Sequence, residues 1–313
     1  MIGTDLVRAA AGSLVDGQKS LAAEMKRLVA ASGHPVAATL DYAVDATFLE
    51  PSLFAYFMDR PDGVELDEAL AGRSPCFPSD VNVGAVGPRV VSTSTVDTAF
   101  QVLARVTPLL HECLTAVIRR VIVFASEEGD SFASPSAHGA VFLRPPPDAD
   151  EVFFIEDLAH QGGHVMLTAI TVDRDAYFAM DSERSLADLA GEPDDGRTVY
   201  VAFHGLFTES LICIALHACL EAGAFGGRQR HEAIGRLSFA MRRMQLDLPA
   251  LQQDGVMTAR GAAMVRSMGD VFDAIFARVG RQITACDLSN QPYTFSYERF
   301  VEQNAVVPAI VRG

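Results

Sequence analysis

The chain is short of positive charge. It carries 25 lysines and arginines against 40 aspartates and glutamates, a net charge of −15 over 313 residues. A surface of that sign repels phosphate backbones and anionic headgroups, so neither nucleic acid nor a membrane is an expected partner. Cysteine is also scarce. Cys76, Cys113, Cys213, Cys219 and Cys286 are scattered, odd in number and form no CxxC pair. The simplest reading is reduced thiols in a cytoplasm. Long hydrophobic runs are missing. No apolar stretch approaches the roughly 20 residues of a membrane helix, and the most apolar one, LICIALHACL, is interrupted by His217. The opening residues, MIGTDLVRAAAGSLVDG, lack the basic-then-apolar order of a signal peptide. There is no internal repeat and no low-complexity linker.

Apolar residues are plentiful, at 49%, enough for a sizeable core. Leu6, Ala9, Leu14, Leu21, Met25 and Leu28 recur at helical spacing, and Gly33 follows as a stop signal, so residues 4–32 read as an amphipathic helix. Residues 37–58 read as a further helix. Residues 60–95 are rich in Gly, Pro, Ser and Asp and read as loop. A helix bent near Pro108 is expected from about Val96 to Arg120. VIVFAS (121–126) and GAVFLR (139–144) are β-branched and aromatic and read as two strands. Helices are expected at about 152–171, 198–222, 229–246 and 257–284, with an acidic loop at 173–196 and an irregular tail from Cys286. The expected class is α+β: one predominantly helical domain with a small sheet beside the 152–171 helix. An N-terminal helical region (1–95) would run into the functional region (96–313).

That helix contains His160-Gln161-Gly162-Gly163-His164. Positions i and i+4 share a helix face, so His160 and His164 are placed to hold one metal ion together. In the hydrolytic motif HExxH the second residue is a glutamate that activates water. Gln161 cannot accept a proton at neutral pH. A zinc hydrolase or peptidase would need a relocated base, with Glu156, Asp157 and Glu209 as candidates. An oxygenase needs no such base, only three ligands on one face of an iron ion and open positions opposite. Two adjacent glycines inside a helix, each costing roughly 1 kcal/mol against Ala, imply a close approach to that turn, by another helix or by a ligand. Downstream, His204 sits among Phe203, Leu206 and Phe207. A buried histidine there needs a partner, either a backbone carbonyl or an ion.

These residues resemble the HExxH-motif peptide-modification proteins of ribosomal peptide natural-product pathways. The resemblance lies in SFASPSAHGAVFL, in EDLAHQGGHVML, and in Asp194, Asp195 and Arg197 with His204-Gly205 seven residues past the arginine. It covers about residues 117–222 and departs from the family at Gln161. It implies an iron(II)- and 2-oxoglutarate-dependent dioxygenase that uses O2 to hydroxylate a carbon, the β-carbon of a peptide residue. His160, His164 and His204 would bind iron, and Arg197 would grip the far carboxylate of 2-oxoglutarate as a bidentate partner. The alternative reading of Arg197 is an ion pair with Asp194 or Asp195. Asp195 and Glu209 are the carboxylate alternatives as metal ligands, with Glu209 five residues past His204 and off its face. His138, just before the GAVFL strand, is either a substrate contact or a turn residue. The substrate would be a peptide, such as a ribosomal precursor, or a small molecule. A noncatalytic peptide-binding relative that has lost its chemistry at Gln161 is the remaining alternative. His111 reads as an ordinary helix residue. The basic cluster RQRHEAIGR and MRRM (228–244) reads as a solvated helix face or, less simply, a docking surface for an acidic leader peptide.

Overall fold

A computed structural model describes residues 1–32, 87–88, 93–118, 120–125, 130–133, 139–190 and 195–305. The helix expected at 37–58, most of the loop at 60–95, Cys76, His138 and Asp194 lie outside the described residues.

The architecture is built around two helices that are apolar on nearly every face, which is the pattern of elements buried all round. Nine α-helices are described: α1 (Thr4–Ser32), α2 (Thr93–Val106), α3 (Pro108–Val117), α4 (Glu151–Ile170), α5 (Ala187–Ala190), α6 (Val199–Glu221), α7 (Gly227–Leu251), α8 (Ala259–Thr284) and α9 (Tyr297–Gln303). α4 and α6 form the centre. α1, α2 and α3 cover α4, while α7 and α8 cover α6. α1 also reaches α8, so the N-terminal helix belongs to the same packed body.

Local chemistry sets the boundaries. Asp150 caps α4 by accepting a hydrogen bond from Val152 N at 3.0 Å, and Thr198 caps α6 through Val201 N. Pro108 does not bend one helix but starts a second. α2 stops at Val106, and the proline occupies the first turn of α3, where its missing N–H is not needed. The stretch expected to remain helical up to Arg120 instead turns into a strand at that residue. Four strands, β1 (Gly87–Pro88), β2 (Arg120–Ala125), β3 (Phe132–Ala133) and β4 (Ala140–Leu143), form one sheet in the order β1-β2-β4-β3. The two expected strands are its centre and run parallel, with Val121 opposite Val141. β3 and β4 lie against α4.

Two other expectations change. The C-terminal tail is not wholly irregular, because Ser296 caps α9 and buries Phe300 against α7. α6 is long and apolar enough to span a bilayer by length and composition, yet most of it is buried inside the fold. Its apolar residues face α4, α7 and α8, so it is a core helix here.

Candidate functional site

The glycine pair explains how the motif helix meets its neighbours. A Cβ on Gly162 would lie 2.5 Å from Leu114 Cδ2 on α3, and one on Gly163 would lie 3.1 Å from both Thr208 Cγ2 and Leu211 Cδ1 on α6. The two glycines let helices pack closely on both sides of α4, the first of the two explanations open from sequence. The approach of α6 brings His164 and His204 together, with their Nδ1 atoms 3.2 Å apart and the rings nearly parallel. Two nitrogens bound to one ion at ~2.0–2.1 Å lie roughly 3.0–3.4 Å apart. The same separation suits a hydrogen bond between neutral imidazoles, one donating and one accepting.

Burial keeps these rings neutral. It pushes His204 down to about 3, aided by the Arg174 charge, and holds His164 well below its usual range, with His160 and His204 as further causes. His204 Nε2 is buried and meets no partner among the described residues. Its ring is held edge-on by Tyr200, whose hydroxyl shares a 2.8 Å hydrogen bond with Thr171. His160 lies one turn before His164, with ring centroids 4.9 Å apart, and burial pushes it to about 3 as well. The three histidines are therefore neighbours. Among the described residues, however, no set of three His, Cys, Asp or Glu groups converges on one point. His164 and His204 form the close pair, with His160 one turn away.

His160 instead opens onto a cavity of about 910 Å³ between α4, α6, α7 and the 294–301 segment. Gln161 is the pivot between the two regions. Its Nε2 donates to Ser131 O (3.3 Å) and to Asp157 Oδ1 (3.2 Å), while its Oε1 is buried without a partner among the described residues. Burial pushes Asp157 up to about 7. Across the cavity, Arg236 pairs with Glu156 and Glu232, and Arg243 pairs with Glu209 at 2.8 Å. Glu209 is pushed up to about 7 by its burial, against the pull of Arg243. It faces Arg243 and has no contact with the histidine pair, which removes the geometric case for it as a metal ligand.

Arg197 is fully engaged elsewhere. Nε and Nη2 donate to Asp195 (3.0 and 2.8 Å), and Nη1 and Nη2 donate to Asp247 on α7 (2.9 and 2.7 Å). Burial opposes its charge, but these bonds hold it more firmly protonated than a free guanidinium. Asp195 serves Arg197 rather than an ion. The ion-pair reading of Arg197 is the one the geometry matches. Asp247 lies next to Gly205, where a Cβ would meet its Oδ2 at 3.6 Å. That is an ordinary contact, so packing does not demand glycine after His204.

The basic cluster needs correction. Arg242 is exposed, as a solvated face requires, but Arg236 is 5% exposed and Arg243 is mostly covered. The spacing Glu232, Arg236, Arg243 runs along one face of α7. Glu232 four residues before Arg236, with a second arginine seven residues further on, was the available signal. Sequence alone did not show that this face turns inward. Nor did it show Asp247 as a partner of Arg197, 50 residues away. His217 lies on α6 beside Glu221, and His111 packs edge-on against Phe100; neither joins the site.

No protein-family model matches the chain, and no curated protein matches it. The likeness to the peptide-modification family therefore rests on the motif residues alone.

Proposed function

We propose that the protein is a mononuclear metal enzyme, an iron(II)- and 2-oxoglutarate-dependent oxygenase that hydroxylates a carbon of a peptide residue. His160, His164 and His204 would hold the ion. The observation that carries this reading is the 3.2 Å approach of two neutral, buried imidazole nitrogens one helical turn from a third histidine. Neutral imidazole suits iron, zinc and copper alike, and the orphaned Nε2 of His204 marks a polar site in dry surroundings. The iron and its cosubstrate would supply the activation of O2. The chain's own residues do the rest. Tyr200 and Thr171 fix the ring of His204. The glycine pair sets the spacing between helices. Gln161 contributes no base, which suits a reaction that needs none. The cavity beside His160 is large enough for a peptide segment, and the small sheet lies against the helix that would bind the ion.

Arg197 as it stands does not fit the cosubstrate, because its guanidinium already grips two carboxylates. Its use for 2-oxoglutarate requires that Asp195, the more exposed partner at 20% against 5% for Asp247, gives way. An anaerobic optical titration tests the reading. Iron(II) followed by 2-oxoglutarate should give a visible charge-transfer band that vanishes in His204→Ala. In Arg197→Ala the band should need much more 2-oxoglutarate. Absence of the band in the wild type overturns the reading.

One observation favours a second reading. Asp157, beside His160 on the cavity wall, is pushed up to about 7 by burial, where a general base works best. A zinc hydrolase using Asp157 in place of the missing glutamate would retain zinc and ignore 2-oxoglutarate. Failure to bind any metal would leave the noncatalytic peptide-binding reading.

A further inference from the structure

The cavity beside His160 has an unbalanced wall. Seven carboxylates and four arginines line it. The arginines of α7 are spoken for: Arg228 pairs with Asp148 and Glu232, Arg236 with Glu156 and Glu232, and Arg243 with Glu209. None of these three forms an ion pair with Asp157, although the Arg236 charge and the Ser131 and Gln161 side chains act on its carboxyl. Asp157 is 7% exposed, and its Oδ2 meets no partner among the described residues. Four residues on, Gln161 is 2% exposed, and its Oε1 is likewise unpartnered. The orientation of that amide is not arbitrary. Its nitrogen faces two acceptors, Ser131 O and Asp157 Oδ1, so a flipped amide would set oxygen against oxygen. The end left free is therefore an acceptor. Two buried orphans border the same cavity on the same helix face, and both are acceptors.

A ligand that satisfies two acceptors must bring donors, and above pH 7 a buried carboxylate with no ion-pair partner, among excess negative charge, calls for a positive one. We infer that this cavity binds a cationic donor group, an alkylammonium or guanidinium, held by Asp157 Oδ2 and Gln161 Oε1 next to His160. The inference takes from the proposed function only that the cavity is the substrate site. It names the substrate class, a compound or peptide residue with a basic side chain. Binding of the cation does not require a metal at the histidines, so the two ideas fail separately. A dicarboxylate would be a poor occupant of this wall.

Calorimetric titration of the metal-free full-length chain at pH 8, where Asp157 is ionised, tests it, with agmatine, a blocked arginine tripeptide, neutral pentanol and anionic glutarate as probes. The two cations should bind at millimolar or lower concentration, and the neutral and anionic probes should not. Asp157→Asn, which keeps the shape and the bond to Gln161, should weaken the cations by about tenfold or more, the usual loss for a hydrogen bond to a charged group. Gln161→Met should weaken them less. His204→Ala should leave cation binding unchanged even if it abolishes metal binding. Tighter binding of the tripeptide would identify a peptide residue as the source of the cation; tighter binding of agmatine would identify a free amine. Glutarate or pentanol binding as well as agmatine would overturn the inference. So would cation binding that survives both Asp157→Asn and Gln161→Met, or no cation binding at all.

Discussion

Two regions of the molecule meet at one turn of α4, and they handle buried polarity in opposite ways. Around His164 and His204 the walls are apolar and aromatic, and the polar groups survive by being neutral. Around Glu156, Glu209, Glu232, Arg236 and Arg243 the groups survive by pairing, against burial that raises the pKa of Glu209 and Glu232. Both solutions avoid an isolated buried charge. The residues between them, His160, Gln161 and Asp157, fit neither scheme completely, and Asp157 and Gln161 each keep one buried oxygen without a partner among the described residues. The comparison separates a pocket of neutral buried rings from a cavity walled by paired charges. It predicts that damage to one side should leave the other intact.

The charged side should be the more fragile. Arg236→Met removes a buried guanidinium shared by the buried Glu232 and the half-buried Glu156 and should cost about 3–5 kcal/mol, whereas Arg242→Ala on the exposed face of the same helix should stay within about 0.5 kcal/mol. Urea unfolding of the two variants measures this directly, and equal small losses would mean that the inward network is not formed.

Asp157→Asn should reveal the boundary through pH. In the folded state Asp157 titrates near 7, above its unfolded range, so the native chain holds the extra proton between about pH 4 and 7. Stability contributed by the protonated group is present at low pH and falls as pH rises through that window. The asparagine variant lacks this loss. Its advantage over the wild type should be near zero at pH 4 and reach roughly 2–4 kcal/mol at pH 8. A difference that is independent of pH would show that Asp157 titrates normally.

The two aspartates on Arg197 sharpen the comparison further. Asp247→Ala should cost about 2–3 kcal/mol, because its partner lies partly buried, and Asp195→Ala at most about 1 kcal/mol. Thermal or urea unfolding ranks them, and the reverse order would contradict Asp195 as the partner able to give way.

Much of the helical frame was legible in the sequence. The expected helices at about 152–171, 198–222 and 257–284 match α4, α6 and α8 within a residue or two, and the structure shows Asp150, Thr198 and Thr258 capping them. The five-residue motif placed His160 and His164 on one face. Pro108, the capped helix α9 and the depth of α6 were less legible, since each depends on what packs against the segment. The candidate site divided in the same way. Spacing along one helix suggested His160 and His164, and the apolar context and motif resemblance suggested His204, but neither could show which face of α7 turns inward or that Asp247 meets Arg197. Those are contacts between helices, and one-dimensional charge patterns describe an exposed face and a paired interior face alike.

The smallest effect concerns the glycine after His204. Gly205→Ala makes only an ordinary contact with Asp247 Oδ2 in a helix interior and should stabilise the chain by up to about 1 kcal/mol. If activity falls while stability rises, the position serves the approach of a ligand rather than packing.

The central claim is that three histidines from two helices share one ion. It is tested most directly by cobalt(II) titration of the wild type and of His160→Ala, His164→Ala and His204→Ala, read by visible absorption and calorimetry. One equivalent should bind to the wild type, and each substitution should weaken it by more than the roughly 10- to 100-fold expected for losing only an outer partner of a ligand. Binding that is unchanged in His160→Ala, or absent in the wild type, would contradict the claim and leave His164 and His204 as a buried hydrogen-bonded pair.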